Sequence, residues 1–253
     1  MNPLRATRGL DGSFCLNRSW KTLSTWFGTI SFPFGGLQLE NWMDIGKAPE
    51  EMLRPQSYPL AVKLVKDESE FPERTRRPEQ KIAVCQALTM SRRYGWTLGI
   101  TENDSGCPGA SLAYGWTRIA DENTIAQFFL AAGYASDEDG AKTIVENIDR
   151  LESGKYSGVV ISPLTRTKIV PDVVLVYGNP AQIMRLIQGS MYKEGQKVKS
   201  ELAGMAASCT GGIIRAFNQT SIRWLFPETA IVFLQSHTTM RCCLQFLRQK
   251  PTM

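Results

Sequence analysis

Histidine is nearly absent from this chain of 253 residues, whose one histidine is His237. The residues before it therefore offer no imidazole for a catalytic triad, a histidine general base or a histidine-ligated zinc ion. A phosphate-binding loop is also missing, and no GxGxxG motif follows a predicted strand. These absences argue against ordinary hydrolase and nucleotide-binding chemistry, although lysine and carboxylate bases stay available.

Long apolar runs are missing too. No run of 18 or more apolar residues occurs, which argues against a membrane span. Residues 1–20 lack the compact apolar stretch of a secretory signal. The six cysteines lack the close, regular spacing of a disulfide framework. Together these features predict a soluble cytoplasmic protein with reduced thiols and no membrane partner.

The net charge of +5 is concentrated at the two ends of the chain. Residues 1–38 carry +3 and residues 218–253 carry +3, so the middle of the chain carries −1. A nearly neutral central region has no electrostatic footprint for a phosphate backbone. We therefore predict no nucleic-acid partner.

Apolar periodicity alternates between helical and extended segments. Residues 60–66, 158–164 and 170–177 are apolar and rich in β-branched residues, as strands are. Amphipathic helices are predicted at residues 82–94, 125–132, 141–151 and 181–192. Gly95 stands where a helix C-cap belongs, and Asn179-Pro180 resembles a helix start. This order predicts an α/β or α+β fold, in which helices pack on the mixed sheet of a single domain.

Six short motifs follow one another in a specific order. They are Tyr58-Pro-Leu-Ala-Val-Lys-Leu64, Val84-Cys-Gln-Ala-Leu-Thr-Met90, Asp104-Ser-Gly-Cys-Pro-Gly-Ala110, Ile161-Ser-Pro-Leu164, Pro171-Asp-Val-Val-Leu-Val176 and Gln182-Ile-Met-Arg-Leu-Ile187. With Cys209, this ordered set resembles an uncharacterised prokaryotic family, domain of unknown function 169, also called ArCR-type. The resemblance covers about residues 40–217. It implies a fold neighbourhood but no established activity.

The two ends of the chain depart from that resemblance. Family members continue after the matched region with a Gly-Asp-Arg motif, which this tail lacks, although its codons in another frame can spell Gly-Asn-Gly-Asp-Arg. We therefore predict a frameshift near Asn218, which makes residues 218–253 an aberrant tail. Residues 1–38 are predicted to be a non-native or disordered extension, and residues 39–217 the family-like domain. A gene sequence that cannot encode Gly-Asn-Gly-Asp-Arg in another frame would contradict the frameshift.

Three cysteines fall within the matched region. Cys85 lies on the apolar side of the helix predicted at residues 82–94, and Cys107 precedes a predicted helix. Cys209 precedes Thr210-Gly211-Gly212, which is predicted to be a flexible turn. A thiol near a helix N-terminus has a lowered pKa and is a better metal ligand or nucleophile. If the fold gathers them, the three thiolates can bind an iron–sulfur cluster or a soft metal ion.

A pocket for an unknown small molecule is predicted beyond the ends of the best strands and beside the cysteines. Its predicted lining residues are Gln86, Ser162, Pro163, Arg166, Asn179, Thr210 and Gly211. Two functions stay open. The first is a redox or metal-cofactor protein with Cys85, Cys107 and Cys209 as ligands. The second is a non-catalytic small-molecule-binding or regulatory domain in which the thiols only pack. Neither decides whether the chain is an enzyme.

Overall fold

Helices and strands alternate along the chain in this computed structural model, which describes residues 42–116, 121–192, 195, 208–219, 223–225 and 230–234. Its helices are α1 (Trp42–Leu53), α2 (Val84–Tyr94), α3 (Pro108–Ala113), α4 (Glu122–Ala131), α5 (Glu138–Glu146), α6 (Pro180–Met191) and α7 (Arg215–Gln219). Its strands are β1 (Leu60–Val65), β2 (Leu98–Thr101), β3 (Gly158–Pro163), β4 (Val173–Gly178), β5 (Arg223–Leu225) and β6 (Ala230–Leu234).

The strands form one sheet in the order β2-β3-β1-β4-β6-β5, with antiparallel neighbours. Leu60 pairs with Pro163 on one side and with Leu175 on the other, so β1 lies between β3 and β4. These three strands are buried on both faces, which explains their nearly continuous apolar sequences. The predicted α/β or α+β domain, with helices packed on a sheet, is confirmed.

Helices cover both faces of the sheet because side chains alternate along each strand. On one face α2, α3 and a π-helical segment, Ser208–Ile214, pack on Val62, Ile161 and Leu175. On the other face α1 and α6 pack on Ala61, Val174 and Val176. A third apolar cluster joins α4 and α5 through residues that include Ile125, Phe129 and Val145.

Two predicted helix boundaries are confirmed and others are wrong. The helix predicted at residues 125–132 is α4 at Glu122–Ala131, and the one predicted at residues 141–151 is α5 at Glu138–Glu146. Gly95 ends α2 in the left-handed conformation, with φ of 71°. Asn179 caps α6, and Pro180 is its first residue. However, α2 begins at Val84 instead of residue 82, because Ile82 is held in extended pairing with Ser105. The Ile82 N–H donates to the Asp104 carbonyl oxygen at 2.9 Å.

The predicted flexible turn at Thr210-Gly211-Gly212 is also wrong. These residues lie within the π-helical segment Ser208–Ile214, which continues directly into α7. Ile213 and Ile214 are fully buried against the sheet. Burial of these apolar side chains thus stabilises a helical segment, although two adjacent glycines on their own favour a turn.

The structure describes only some of the segments into which the sequence analysis divided the chain. Residues 1–38 lie outside the described residues. β6 lies within residues 218–253, and its backbone pairs with β4 over Ala230–Leu234. The frameshift and the aberrant tail stay predictions. Within the described part of the chain, no helix is both long and apolar enough to cross a membrane.

Candidate functional site

Cys85 is the second residue of α2 and is exposed. The sequence analysis placed Cys85 on the apolar side of this helix, which is wrong. The residues that the helix buries are Val84, Ala87, Leu88 and Ser91. That stripe has the spacing of one helix face, and Cys85 lies beside it. The residue is therefore open to solvent, while its thiol is partly desolvated beside Cys209.

Cys209 lies in the first turn of the π-helical segment and is buried. Its thiol lies close enough to the Cys85 sulfur for each group to shift the pKa of the other as a hydrogen-bonding partner. This contact joins two elements that are far apart in the sequence, α2 and the π-helical segment, on the same face of the sheet. An exposed thiol and a buried thiol thus form a pair.

The two thiols of this pair have very different pKa values. The hydrogen bond from Cys209, helped by the backbone N–H groups of Gln86 and Cys85, lowers the pKa of Cys85 to about 6 against the opposing effect of desolvation. The same hydrogen bond and burial raise the pKa of Cys209. At neutral pH Cys85 is accordingly the thiolate, and Cys209 remains the protonated donor.

Cys107 is the third thiol of this neighbourhood. It is the residue before α3, it is partly buried, and it packs against the apolar cluster that contains Cys209. Its charge contributes to the raised pKa of Cys209. However, no group of three or more His, Cys, Asp or Glu side chains in the described ranges has an arrangement that could hold a metal ion. The role of the three cysteines as ligands stays a prediction.

Two side chains beside the thiols were not predicted from the sequence. Tyr177, in β4, is buried, which raises its pKa to about 12, and its hydroxyl is hydrogen-bonded to Ser208. The Arg92 guanidinium carbon lies 4.3 Å from the centre of the Tyr177 ring. Helical spacing contained a signal for Arg92, because it follows Cys85 by two turns of α2 and therefore lies on the same side of the helix.

Tyr114 follows α3 and is fully buried in the same cluster. Its hydroxyl has no hydrogen-bond partner among the described residues. Burial raises its pKa well above the ordinary value, and the neighbouring Cys209, Tyr177 and Cys85 raise it further. The phenol is therefore neutral and adds an unpaired donor to the region of the thiols.

The two tyrosines are expected to respond differently to loss of the hydroxyl. Tyr114→Phe removes an unpartnered buried group, so the free energy of unfolding should stay within about 1 kcal/mol or rise. Tyr177→Phe leaves Ser208 without its partner and should cost about 1–2 kcal/mol. Urea unfolding of both variants measures the difference. A larger loss for Tyr114→Phe than for Tyr177→Phe would contradict this description.

The predicted pocket residues fall in different places. Gln86 is beside Cys85, and its side-chain oxygen accepts a hydrogen bond from the Ala83 N–H at 2.7 Å, which caps α2. Thr210 and Gly211 follow Cys209 in the π-helical segment. These three residues therefore accompany the thiols.

The other four predicted pocket residues lie away from the thiols. Ser162 and Arg166 line a separate cavity. Pro163 ends β3, and the Asn179 side-chain oxygen accepts from the Gln182 N–H at 2.9 Å to cap α6. Pro163 and Asn179 are not part of that cavity's described lining. Of the seven residues predicted to line one pocket, three thus accompany the thiols, two line the separate cavity and two belong to neither.

Comparisons with known proteins agree with the ordered motifs. A model of the family described as uncharacterised ArCR, DUF169, matches residues 50–237, which extends past the boundary predicted at residue 217. An uncharacterised protein of Methanocaldococcus jannaschii is 27% identical over 161 residues, which cover 63% of this chain and 69% of that protein. No solved structure matches the chain significantly. The chain therefore belongs to the uncharacterised ArCR family, domain of unknown function 169.

Proposed function

We propose that this domain is a thiol–disulfide redox protein in which Cys85 is the attacking thiol and Cys209 the resolving thiol. The observation that carries the proposal is the close approach of an exposed and a buried cysteine from two separate elements, near enough for each thiol to shift the pKa of the other. An accessible thiolate reacts with disulfides, and a second thiol in contact with it can complete the exchange. The lowered pKa of Cys85 supports the same order of events.

The proposed reaction consumes a disulfide. The Cys85 thiolate attacks one sulfur of the substrate, the substrate S–S bond breaks, and a mixed disulfide forms while the first substrate thiolate leaves. That thiolate takes the Cys209 proton. The Cys209 thiolate then attacks the Cys85 sulfur, forms the Cys85–Cys209 disulfide and releases the second substrate thiolate, which takes a proton from water. The substrate gains two electrons, and the two cysteines lose them.

Arg92 and the tyrosines have supporting roles in this proposal. Tyr177 holds Arg92 over its ring on the side of α2 that also carries Cys85. Burial lowers the pKa of Arg92, which nevertheless stays charged at neutral pH. The Arg92 charge acts on Tyr177, and Tyr177 in turn lies within electrostatic reach of Cys209 and Cys85. We assign Arg92 as a positioning residue, because it acts through Tyr177.

A metal or iron–sulfur cofactor held by Cys85, Cys107 and Cys209 is the second proposal. It is favoured by the electrostatic effect of Cys107 on the pKa of Cys209, because this effect indicates that a third thiol lies near the pair. The arrangement in the described ranges does not fit a metal as it stands. Binding would therefore require the side chains to move closer. Thiolates of this kind would suit a soft metal ion or a cluster.

Incubation with glutathione disulfide separates the two proposals. The redox proposal predicts a Cys85–Cys209 disulfide, detected as a cross-linked peptide by mass spectrometry without reduction. Cys107→Ser should form the same disulfide to the same extent, since Cys107 has no part in the exchange. Cys85→Ser should form neither the disulfide nor a glutathione adduct at Cys209, because Cys209 is buried.

Metal and sulfide analysis after anaerobic expression tests the cofactor proposal. A cofactor bound through three cysteines would be present in the unaltered chain and lost in Cys107→Ser. A metal-free protein in which Cys85 and Cys209 stay unlinked under the glutathione treatment would remove both proposals. That result would favour the non-catalytic binding domain, in which the thiols only pack.

A further inference from the structure

The cavity lined by Ser162 and Arg166 lies apart from the thiols. Its volume is about 530 Å³, within the usual range for small-molecule sites. Ser162 pairs with Ala61, whose side chain packs on the face of the sheet that α1 and α6 cover. Cys209 belongs to the cluster on the opposite face. The cavity is therefore a second region, which the proposed redox reaction does not use.

Ser162 supplies the first observation that points to a ligand. It lines the cavity and is only 2% exposed. Its hydroxyl has no hydrogen-bond partner within the described ranges. A buried hydroxyl without a partner is destabilising, so a ligand that accepts its hydrogen bond would remove a cost already present in the protein.

Three cations line the same cavity: Arg74, Arg166 and Lys168. Arg166 is held in place, since its guanidinium donates to the Gly95 carbonyl oxygen and to the Tyr58 hydroxyl, each at 3.1 Å. Those bonds use two of the five N–H donors of the guanidinium. A fixed arginine with donors to spare is suited to carboxylate or phosphate oxygens.

The acidic side chains of the cavity leave its positive charge in excess. Glu70 and Glu73 both line it. The Glu70 carboxylate is already engaged, because it accepts from the backbone N–H groups of Lys66 at 2.9 Å and Asp67 at 3.2 Å. Both carboxylates keep their charge, so three cations face two anions and the lining carries a net charge of +1. This balance favours an anionic ligand over a cationic one.

We infer that this cavity binds a small organic anion through Ser162, Arg166 and Lys168. The ligand class is a carboxylate or a phosphate ester. Its oxygens accept from the serine hydroxyl and the two cationic groups, and the rest of the molecule fills the cavity beside Pro72 and Ile169. The inference does not depend on the redox proposal, because no cysteine lines the cavity as described.

NMR titration with inorganic phosphate and, separately, with succinate tests the inference, with sodium chloride at equal ionic strength as the blank. Saturable shifts of the backbone amides of Ser162, Arg166 and Lys168 are expected. A response to phosphate alone identifies the phosphate class, and a response to succinate alone identifies the carboxylate class. The lack of a saturable shift with both probes would overturn the inference.

The matched variants are Ser162→Ala and Ser91→Ala, which each remove the hydroxyl of a buried serine without a described partner. Ser162→Ala should weaken binding about tenfold, as expected for a hydrogen bond to a charged group. Its thermal midpoint without ligand should be unchanged or higher. Ser91 lies in α2, outside the described lining of the cavity, so Ser91→Ala should bind as the unaltered chain does. Equal binding by both variants would contradict the role of Ser162. Cys85→Ser should also bind normally.

Discussion

Replacing Cys209 with alanine is expected to move the pH at which Cys85 becomes reactive from about 6 to about 8.5, the value of an ordinary thiol. The hydrogen bond from Cys209 is the largest cause of the lowered pKa, and alanine cannot donate one. The backbone N–H groups of Gln86 and Cys85 still lower the pKa in this variant, while desolvation still raises it, so these remaining causes offset each other. The midpoint should therefore rise by about 2.5 pH units.

The midpoint is a sharper measure than the rate at one pH. At pH 6.5 the ionised fraction of Cys85 should fall from about three quarters to about one hundredth when its pKa rises to 8.5. A thiolate of higher pKa is also a better nucleophile, by about tenfold or more over this range. The two effects oppose each other. The observed alkylation rate at pH 6.5 should accordingly fall only about fivefold.

Alkylation with iodoacetamide between pH 5 and 9, followed at the Cys85 peptide by mass spectrometry, measures this profile. Cys209→Ser retains a hydroxyl donor and should have an intermediate midpoint. Cys107→Ser should leave the midpoint within a few tenths of a pH unit, because Cys107 is not among the causes of the Cys85 shift. An unchanged midpoint in Cys209→Ala would show that the hydrogen bond has no part in activating Cys85.

Leu175→Ala is expected to destabilise the domain by about 3–4 kcal/mol. Leu175 is fully buried in β4, pairs with Leu60 and lies in the cluster that contains Cys209 and Ile213. Its truncation removes apolar contacts and leaves a cavity beneath the π-helical segment. A loss of this size is a large part of the stability of an ordinary domain.

Val170→Ala is the matched control, since Val170 precedes the same strand and is 65% exposed. Its effect should stay within about 0.5 kcal/mol. Urea unfolding measures both variants, and an unchanged dependence on urea concentration would indicate that the unfolded state is unaffected. Equal effects of the two substitutions would contradict the described core.

The sequence was sufficient for much of the fold because the central strands are buried on both faces and hence continuously apolar. It also located Gly95 and Asn179 correctly at helix ends, where local chemistry decides the structure. It failed at Ser208–Ile214, where burial of Ile213 and Ile214 outweighs the local preference of two glycines. Antiparallel pairing was likewise not predictable from apolar runs alone, which occur in sheets of either kind.

The site was less predictable than the fold, because it depends on contacts between distant segments. Apolar spacing assigned Cys85 to the buried side of its helix, whereas the helix buries Val84, Ala87 and Leu88 and leaves Cys85 exposed. The contact with Cys209 requires the π-helical segment to pack on the same face of the sheet. Arg92 was detectable from helical spacing, but its position over Tyr177 was not.

The central claim is that Cys85 is a thiolate stabilised by a protonated Cys209. NMR titration of the chain labelled with ¹³C at the cysteine Cβ atoms tests it most directly, with Cys85→Ser and Cys209→Ser used to assign the signals. The account predicts that the Cys85 signal titrates near pH 6 and that the Cys209 signal does not titrate below pH 9. A Cys85 signal that titrates at pH 8–9, as an isolated thiol does, would contradict it.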